Sequence, residues 1–490
     1  VGTAGLTADA GTIDRLRDSL AGFTAHNVQQ LAGAGELAAA AAGNAAGALR
    51  ATRGGGPLAA LVRLFLLGVD VEVAAAEEAL APLGVAGFAR AGLLEAAASG
   101  VKARLRLTPT ELCGQQLIVA HDPPARDGVA DTVLGVGPTT RSLAQLTFRH
   151  PVERALDLGS GGGVQSLLLA AHAGQVVATD LVPRAVELCC FNVALNGIAN
   201  VECRTGDRFE PVHGERFGLI VSNPPFIVSP DTTFRFRDGG MPLDGMARSV
   251  VRGAGEHLTP LGYAQVMACW PNIGGEAWHE RVHGWVVGTG CDAWALQLET
   301  QQPGDYARRW LAHGADRDPA AYGRWLDHYA EAGIESFGYG IVLLRRVEHR
   351  APWWRFDEAP QSLVGRPAEG LRAGFEAADW LLSHDDESLL AARLAVHEGA
   401  RLETIQRPLG GGWAAERAVL RHLQGMPFSG AVDQRTAALV AACDGTRTLS
   451  EAVATVAEGR PLPERVLEVV RGLIGNGFLV PLDLSSRARS

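Results

Sequence analysis

The sequence predicts an α/β protein: a doubly wound, mostly parallel sheet flanked by an α-helical N-terminal domain and a mainly helical, winged-helix-like C-terminal domain. Three observations carry this expectation. Between residues 152 and 347, apolar runs of strand length alternate with helix-length segments, a pattern that gives a parallel sheet covered on both faces. One run ends in Asp157-Leu-Gly-Ser-Gly-Gly-Gly163, a glycine-rich turn that opens a helix. Another ends in Ser222-Asn-Pro-Pro-Phe226, where two prolines force the chain out of the sheet.

A chain of 490 residues is too long for one core, and about 150 residues per domain gives roughly three domains. Residues 1–105 are rich in Ala, Leu and Gly. Leu16, Leu20 and Phe23 fall at helical spacing, and 38–49 and 58–67 read as two further helices. Residues 106–348 form the α/β domain with a β-rich approach. Val101 to Leu107 alternates apolar and polar residues as a half-buried strand does, and 116–120 is a second strand. Residues 133–142 make a Gly-rich turn before a helix. Strands at 154–158, 175–179, 201–204, 217–222, 262–268 and 338–344 then alternate with helices at 164–171, 184–196 and 248–257. Trp353-Trp354 and the prolines after it mark a boundary. Residues 352–490 form the third domain, with helices at 435–442, 449–456 and 463–474 and a short strand at 477–480.

Composition narrows the function. Hydrophobic residues make up 47% and charged residues 20%, enough to build cores beneath a polar surface. The net charge of −10 lacks the broad basic field of a non-specific nucleic-acid binder. Seven scattered cysteines without a CxxC pair read as reduced thiols of a cytoplasmic protein, and not as a zinc site. Fourteen histidines show no HExxH or paired-ligand spacing, so no metal is expected. No signal-peptide pattern is visible at Val1-Gly-Thr-Ala, and no run approaches the ~18 apolar residues of a membrane span, so no membrane partner is expected.

The chemistry sits in the turns that follow the strands. Gly159, Gly161 and Gly163 let the chain turn tightly and let backbone N–H groups approach a ligand. Their spacing is G-x-G-x-G, not the G-x-G-x-x-G of dinucleotide sites. Asp180 ends the next strand, 23 residues after Asp157, where a carboxylate can accept both hydroxyls of a ribose. Gly206-Asp207 closes the third strand. Leu219-Ile-Val-Ser-Asn-Pro-Pro-Phe226 leaves the sheet at its carboxyl edge, where open α/β sheets bind ligands.

Together these motifs resemble the class I S-adenosylmethionine (SAM)-dependent methyltransferases, in particular the amino-methylating branch with an (N/D/S)PP(Y/F) motif. The match is specific over about 130–270 and shares motifs with the glutamine-N5 release-factor enzymes and the adenine- and guanine-modifying enzymes. The resemblance implies SAM as cofactor, with S-adenosylhomocysteine as product. It implies a cofactor site of Asp157, Gly159, Ser160, Gly161, Gly163, Asp180, Leu181, Gly206, Asp207 and Asn223. Asp157 would meet the methionyl amino group, and Asp207 the adenine amino group. The Asn223 side-chain carbonyl and the Pro224 backbone carbonyl would accept hydrogen bonds from the target nitrogen. Phe226 would stack on its planar group, with Pro225 completing the motif. The three-domain plan is similar to a group of actinobacterial-type proteins. The segment 439–450 with 477–480 is faintly similar to PqqD-like winged-helix modules that bind leader peptides.

Residues 227–246 form a long turn-rich loop beside this site. It reads as a lid in which Phe234, Arg235, Phe236 and Arg237 contact substrate, and in which Asp244 can cap the next helix. Gly135, Gly137 and Thr139 to Arg141 form a second turn that either covers the methionine end of SAM or is purely structural. Asn192 and Asn196 read as solvated or C-cap residues. The tryptophans at 270, 278, 285, 294, 310 and 325 read as a packing core. The leading expectation is therefore a SAM-dependent N-methyltransferase of a peptide or protein, including a ribosomally made peptide undergoing tailoring. One alternative is methylation of an exocyclic base nitrogen in RNA or DNA; the other is a non-catalytic SAM-binding scaffold. The sequence leaves the acceptor and the oligomeric state open.

Overall fold

Glycines punctuate the Ala/Leu-rich N-terminal stretch, so it folds as a succession of short helices and not as a few long ones. The computed structural model describes residues 6, 9–123, 131–231, 240–311, 320–359, 367–423, 428–457 and 465–487. Two compact units result: residues 1–144 with 149–358, and residues 145–148 with 359–490. The first unit begins with α1 (Ala10–Ser19), α2 (Ala25–Ala32), α3 (Ala34–Ala41), α4 (Ala46–Ala51), α5 (Pro57–Leu61), α6 (Val73–Ala79) and α7 (Gly84–Arg90). Asp9 and Thr24 cap α1 and α2 by accepting from Thr12 N and Asn27 N. Gly33, at φ 80°, ends α2 and starts α3 in one residue. The expected helix at 58–67 is α5 followed by a π-helical stretch, Val62–Leu67. Leu16, Leu20, Phe23, Phe65 and Phe88 are buried together in the core of this layer.

Two hairpins follow: β1 (Leu94–Ala97) with β2 (Gly100–Ala103), and β3 (Arg106–Leu112) with β4 (Gln115–His121). The single strand expected from 101 to 107 is thus divided. The chain leaves one hairpin at Ala103 and joins the next at Arg106, and the alternating pattern runs through the join without marking it.

The main sheet has eight strands. They are β5 (Val152–Leu158), β6 (Ala173–Asp180), β7 (Val201–Thr205), β8 (Phe217–Ser222), β9 (Leu258–Ile273), β10 (Cys291–Gln301), β11 (Ile334–Arg346) and β12 (Trp354–Glu358). Their order is β12-β10-β11-β9-β8-β5-β6-β7. β5, β6, β7, β8 and β9 run parallel, and β11 is antiparallel to both neighbours. β12 carries the sheet past residue 348, and its approach is anchored on Asp292. That fully buried carboxylate accepts from Arg345 (2.7 Å), Arg350 (2.5 Å) and Trp353 N (3.1 Å). A buried charge is tolerable because three donors surround it. The helices are α8 (Pro138–Leu146), α9 (Val164–Leu169), α10 (Pro183–Leu195), α11 (Gly245–Glu256), α12 (Trp278–Val286), α13 (Pro303–Leu311) and α14 (Ala321–Glu331). Trp270, Trp285, Trp294 and Trp325 are fully buried, as a packing core requires.

Helix α10 serves two cores. Ala185, Leu188, Phe191 and Leu195 join the N-terminal helices, whereas Cys189 and Val193 pack with α9 and the sheet. A third side of α10 carries Asn192 and Asn196, which the sequence left as solvated or capping residues; this expectation needs correction. Asn192 is fully buried: its Oδ1 accepts from Ala120 N (2.7 Å), and its Nδ2 donates to Ala120 O (2.9 Å) and Gly162 O (2.8 Å). Asn196 ends the helix as expected and also exchanges two bonds with Ile118 (3.0 and 2.9 Å). Each amide imitates a strand residue. Four residues of helix rise about 6 Å, close to two residues of strand at about 6.6 Å, so the pair keeps register with β4.

The second unit contains α15 (Pro367–Ser383), α16 (Asp386–Ala391), β13 (Arg393–Val396), β14 (Ala400–Leu409), β15 (Gly412–His422), β16 (Ser429–Val432), α17 (Gln434–Ala442), β17 (Asp444–Thr448), α18 (Leu449–Ala457), α19 (Val466–Gly475), β18 (Leu479–Pro481) and α20 (Leu482–Arg487). The expected helices and final strand are present. Two three-stranded sheets are added, β17-β13-β18 and β14-β15-β16. The β14–β15 hairpin is largely exposed, so it shows no apolar/polar alternation. Its signal is Gly410-Gly411, whose φ values of 58° and 85° suit a tight hairpin turn. Among the described residues no helix is long and apolar enough to cross a membrane.

Candidate active site

β5 and β8 are neighbours in the sheet although their ends are 64 residues apart, because the strand order reverses there. Leu158 pairs with Ser222, and Ser222 Oγ donates to Leu158 O at 2.8 Å. The glycine-rich turn and the Asn-Pro-Pro-Phe turn therefore leave the sheet side by side, at the topological switch point where such folds bind ligands.

The glycine-rich turn is fixed by backbone bonds and two aspartates. Gly159 N and Ser160 N both donate to Thr179 O, at 2.8 and 2.9 Å. Asp180 Oδ2 accepts from Gly161 N (2.8 Å), and its Oδ1 accepts from Val182 N (2.9 Å). Burial raises the Asp180 pKa. Asp157 reaches the first turn of α9, where one oxygen accepts from Ser166 N (2.9 Å) and Ser166 Oγ (2.6 Å). Burial pushes its carboxyl up to about 6, against the opposing pull of those two bonds. Gly159 (φ 72°) and Gly161 (φ 53°) need glycine's freedom, and a Cβ on either would meet nothing within 4 Å. Gly163, at φ 80°, needs the same freedom, and its Cβ would in addition lie 2.5 Å from Cys189 Sγ, so glycine there also lets the turn pack on α10.

The acceptor turn depends on partners from further away. Asn223 Nδ2 donates to Thr139 Oγ1 at 3.3 Å, and Asn223 Oδ1 is buried with no hydrogen-bond partner among the described residues. Phe226 is 7% exposed and tilts against Tyr339 of β11, with centroids 5.6 Å apart. Two buried tyrosines grip the peptide at Val228. Tyr306 Oη accepts from Val228 N (3.1 Å), and Tyr329 Oη donates to Val228 O (2.9 Å).

One cavity of about 550 Å³ joins both turns. Asp157, Gly159, Ser160, Gly161, Asp180, Leu181, Gly206, Asp207, Asn223, Pro224, Pro225 and Phe226 all line it, and Gly163 does not. Gly135, Gly137 and Thr139 line it too, so the second turn borders the cavity. Asp207 is held by its neighbour Arg208, a lining residue with φ 48° whose Nη2 lies 2.8 Å from the carboxylate. Asp244 does not cap α11 through its side chain; its carboxylate pairs with Arg281 instead. Phe234, Arg235, Phe236 and Arg237 lie outside the described residues. Gln165, Arg208 and Trp310 are among the lining residues that the sequence reading did not assign to the site. Gln165 Nε2 donates to Thr140 O at 2.9 Å and so ties the second turn to α9. Among the described residues no cluster of His, Cys, Asp or Glu could hold a metal ion.

The family described as "Methyltransferase small domain" matches residues 135–268, which contain both turns. The chain carries a class I SAM-dependent methyltransferase domain of the small-domain group. Residues 20–104 and 372–481 match the families described as "Domain of unknown function (DUF7059)" and "Domain of unknown function (DUF7782)". The methyltransferase domain is similar to the release factor glutamine methyltransferase of Xylella fastidiosa, 36% identical over 135 residues. That alignment covers 25% of this chain and 49% of the relative. It is also similar to the ribosomal protein uL3 glutamine methyltransferase of Bradyrhizobium diazoefficiens, 35% identical over 131 residues, or 23% of this chain and 40% of the relative. The chain thus spans about half the length, or less, of these curated relatives.

The residues present fit SAM. The two open glycines leave room for a ligand against the backbone. Ser160 Oγ, Gln165 Oε1, Thr179 Oγ1 and Asn223 Oδ1, all on lining residues, are buried and find no hydrogen-bond partner among the described residues. Such atoms are costly unless a ligand satisfies them. SAM carries amino, carboxylate, ribose and adenine groups that supply both donors and acceptors.

Proposed function

We propose that this chain is a SAM-dependent N-methyltransferase of a protein or peptide, and that its acceptor is a side-chain carboxamide. One observation carries the reading: Asn223, with an orphaned carbonyl oxygen, stands beside the Gly159–Gly161 turn in a single cavity. The relatives support it, since both are glutamine methyltransferases of proteins. A ribosomally made peptide under tailoring belongs to the same acceptor class. Residues 106–358 are the catalytic domain in this reading, since β12 belongs to the main sheet and moves the boundary expected at 348–352, with 1–105 and 359–490 as substrate-selecting domains.

Asp180 would take the ribose hydroxyls, since each of its oxygens has a lone pair beyond its present backbone bond. Asp157 would face the methionyl ammonium and Asp207 the adenine amino group. Bound SAM supplies a methyl group on a sulfonium, already an excellent leaving group, so catalysis rests on alignment and dryness. Asn223 Oδ1 and the Pro224 carbonyl accept from the acceptor NH2 and orient its nitrogen. Thr139 holds the other end of the Asn223 amide, which keeps the oxygen toward the acceptor. Pro224, Pro225 and Phe226 exclude water around it.

The test is transfer of a labelled methyl from SAM to candidate protein acceptors, by wild type and by Asn223→Ala. Transfer by wild type alone, with equal S-adenosylhomocysteine affinity in both, supports the reading. Equal transfer by Asn223→Ala overturns it, as does label that appears only on RNA.

A further inference from the structure

Gln165 stands between the two turns that build the cavity. It is the second residue of α9, the helix opened by the glycine-rich turn, and it is 5% exposed. Its Nε2 donates to Thr140 O at 2.9 Å. A backbone carbonyl only accepts, so this bond fixes which end of the Gln165 amide faces α8. The other end, Oε1, is buried and finds no hydrogen-bond partner among the described residues. Gln165 lines the cavity, as do Thr139 and Thr140. Beside Thr140, Thr139 Oγ1 accepts from Asn223 Nδ2 at 3.3 Å. Thr139-Thr140, at the start of α8, is therefore a short strap bonded to α9 on one side and to the acceptor turn on the other. An amide oxygen unsatisfied by any described residue stands at each end of it, on Gln165 and on Asn223.

Ser166, the next residue, binds the Asp157 carboxylate through its N (2.9 Å) and Oγ (2.6 Å). A carboxylate and an amide oxygen are thus both placed at the first turn of α9. Once Asp157 is ionised neither group has a proton to give, so the ligand group that satisfies Gln165 Oε1 is a donor. Asp180 ends β6 and Asp207 follows β7, one and two strands beyond β5 and away from β8. With ribose and adenine on those two carboxylates, the amino-acid end of the cofactor falls at β5, where α9 begins. We propose that Gln165 is a positioning residue that couples the two turns. Its Oε1 accepts the methionyl ammonium of SAM, and its Nε2 carries that occupancy through the Thr139-Thr140 strap to Asn223. The Thr139–Asn223 bond is the longer of the two strap bonds and the one with room to tighten. This rests on the SAM reading of the cavity and is independent of the acceptor's identity.

The experiment uses the full chain and two probes, S-adenosylhomocysteine and methylthioadenosine, which shares the adenosine and thioether but lacks the amino-acid end. In calorimetry Gln165→Leu, which keeps the bulk and neither bond, is expected to lose about tenfold in S-adenosylhomocysteine affinity, with methylthioadenosine affinity unchanged. Gln165→Glu keeps an acceptor for the ammonium but offers Thr140 O no proton. It should hold S-adenosylhomocysteine affinity within about threefold of wild type. Amide hydrogen exchange over residues 138–146, at saturating ligand, then reads the strap. S-adenosylhomocysteine should slow it in wild type, methylthioadenosine should not, and Gln165→Glu should show little slowing with either. Equal S-adenosylhomocysteine affinity in Gln165→Leu and wild type overturns the ammonium contact and leaves the SAM reading standing. Parallel loss for both probes overturns it as well, by showing a general structural role, and so does a Glu variant as weak as the Leu variant. Slowing by methylthioadenosine, or undiminished slowing in Gln165→Glu, overturns the coupling to the strap. Wild type that binds neither probe overturns the SAM reading and this proposal with it.

Discussion

The two halves of the cavity are built differently. The cofactor half is made of strand ends and the turns that directly follow them. Its turn is fixed mainly by bonds from backbone to backbone, or from backbone to an aspartate at or near the end of the same or the next strand, as in Gly161 N to Asp180. The acceptor half is made of one short turn held by side chains from distant segments: Thr139 before it, and Tyr306 and Tyr329 after it. A half made of local geometry is robust and carries its signature in a few residues. A half assembled at long range can change its acceptor without disturbing the cofactor. Substitutions in the two halves should therefore separate binding from turnover.

The largest effect is expected from Asn223→Ala. Removing a hydrogen-bonding group that orients the reacting atom should cost about 100- to 1000-fold in kcat, with S-adenosylhomocysteine affinity within about twofold of wild type by calorimetry. A large loss of affinity would merge the two halves and break the comparison. Gly161→Val is the opposite case. A β-branched residue at φ 53° is strained, and its side chain would fill the space above the turn. Its S-adenosylhomocysteine affinity should fall roughly 10- to 100-fold, with a loss of about 1–2 kcal/mol of stability from the strained backbone.

Asn192→Ala sharpens the comparison from a third side, because Asn192 braces β4 and the glycine-rich turn together. It strands Ala120 N, Ala120 O and Gly162 O. The expected loss is about 2–3 kcal/mol of stability, read by urea unfolding, with kcat of the folded fraction less affected.

The smallest effect is in pH. Burial holds the folded pKa of Asp157 at about 6, above its model-compound value of 3.8. The folded state therefore binds a proton that the unfolded state has already released. Stability should fall as pH rises through that window, from about 4 to about 6. If the ionised carboxylate pairs with the methionyl ammonium, S-adenosylhomocysteine affinity should rise over the same window. Asp157→Asn should reduce both trends, with Asp180, which burial also raises, still contributing a slope of the same sign. An unchanged affinity profile in Asp157→Asn would remove Asp157 from the cofactor contacts.

How much the sequence revealed follows the same division. Asp157, Gly159, Gly161, Asp180 and Asp207 were legible because each ends a strand or follows one, and strand ends can be read from apolar runs. Asn223-Pro-Pro-Phe226 was legible because two prolines cannot continue a central strand. Trp310 was read as packing because nothing in one dimension shows its phase relative to Tyr306 or where that helix docks. Asn192 looked like a surface residue near a helix end; only its match to the spacing of Ile118 and Ala120 across the fold reveals the brace. The β14–β15 hairpin was missed because its exposed strands do not alternate, although Gly410-Gly411 was a usable signal. Asp244 was assigned to a helix cap, a local role, when its partner Arg281 lies on α12.

The proposed reaction of this cavity is methylation of the nitrogen of a protein carboxamide. The most direct measurement is fragmentation mass spectrometry of protein acceptors after incubation with the enzyme and trideuteromethyl SAM. The added mass should fall on the side-chain amide of a single residue and be absent from the Asn223→Ala reaction. Label on a lysine, on a chain terminus or on a nucleobase, with protein amides unmodified, would contradict it.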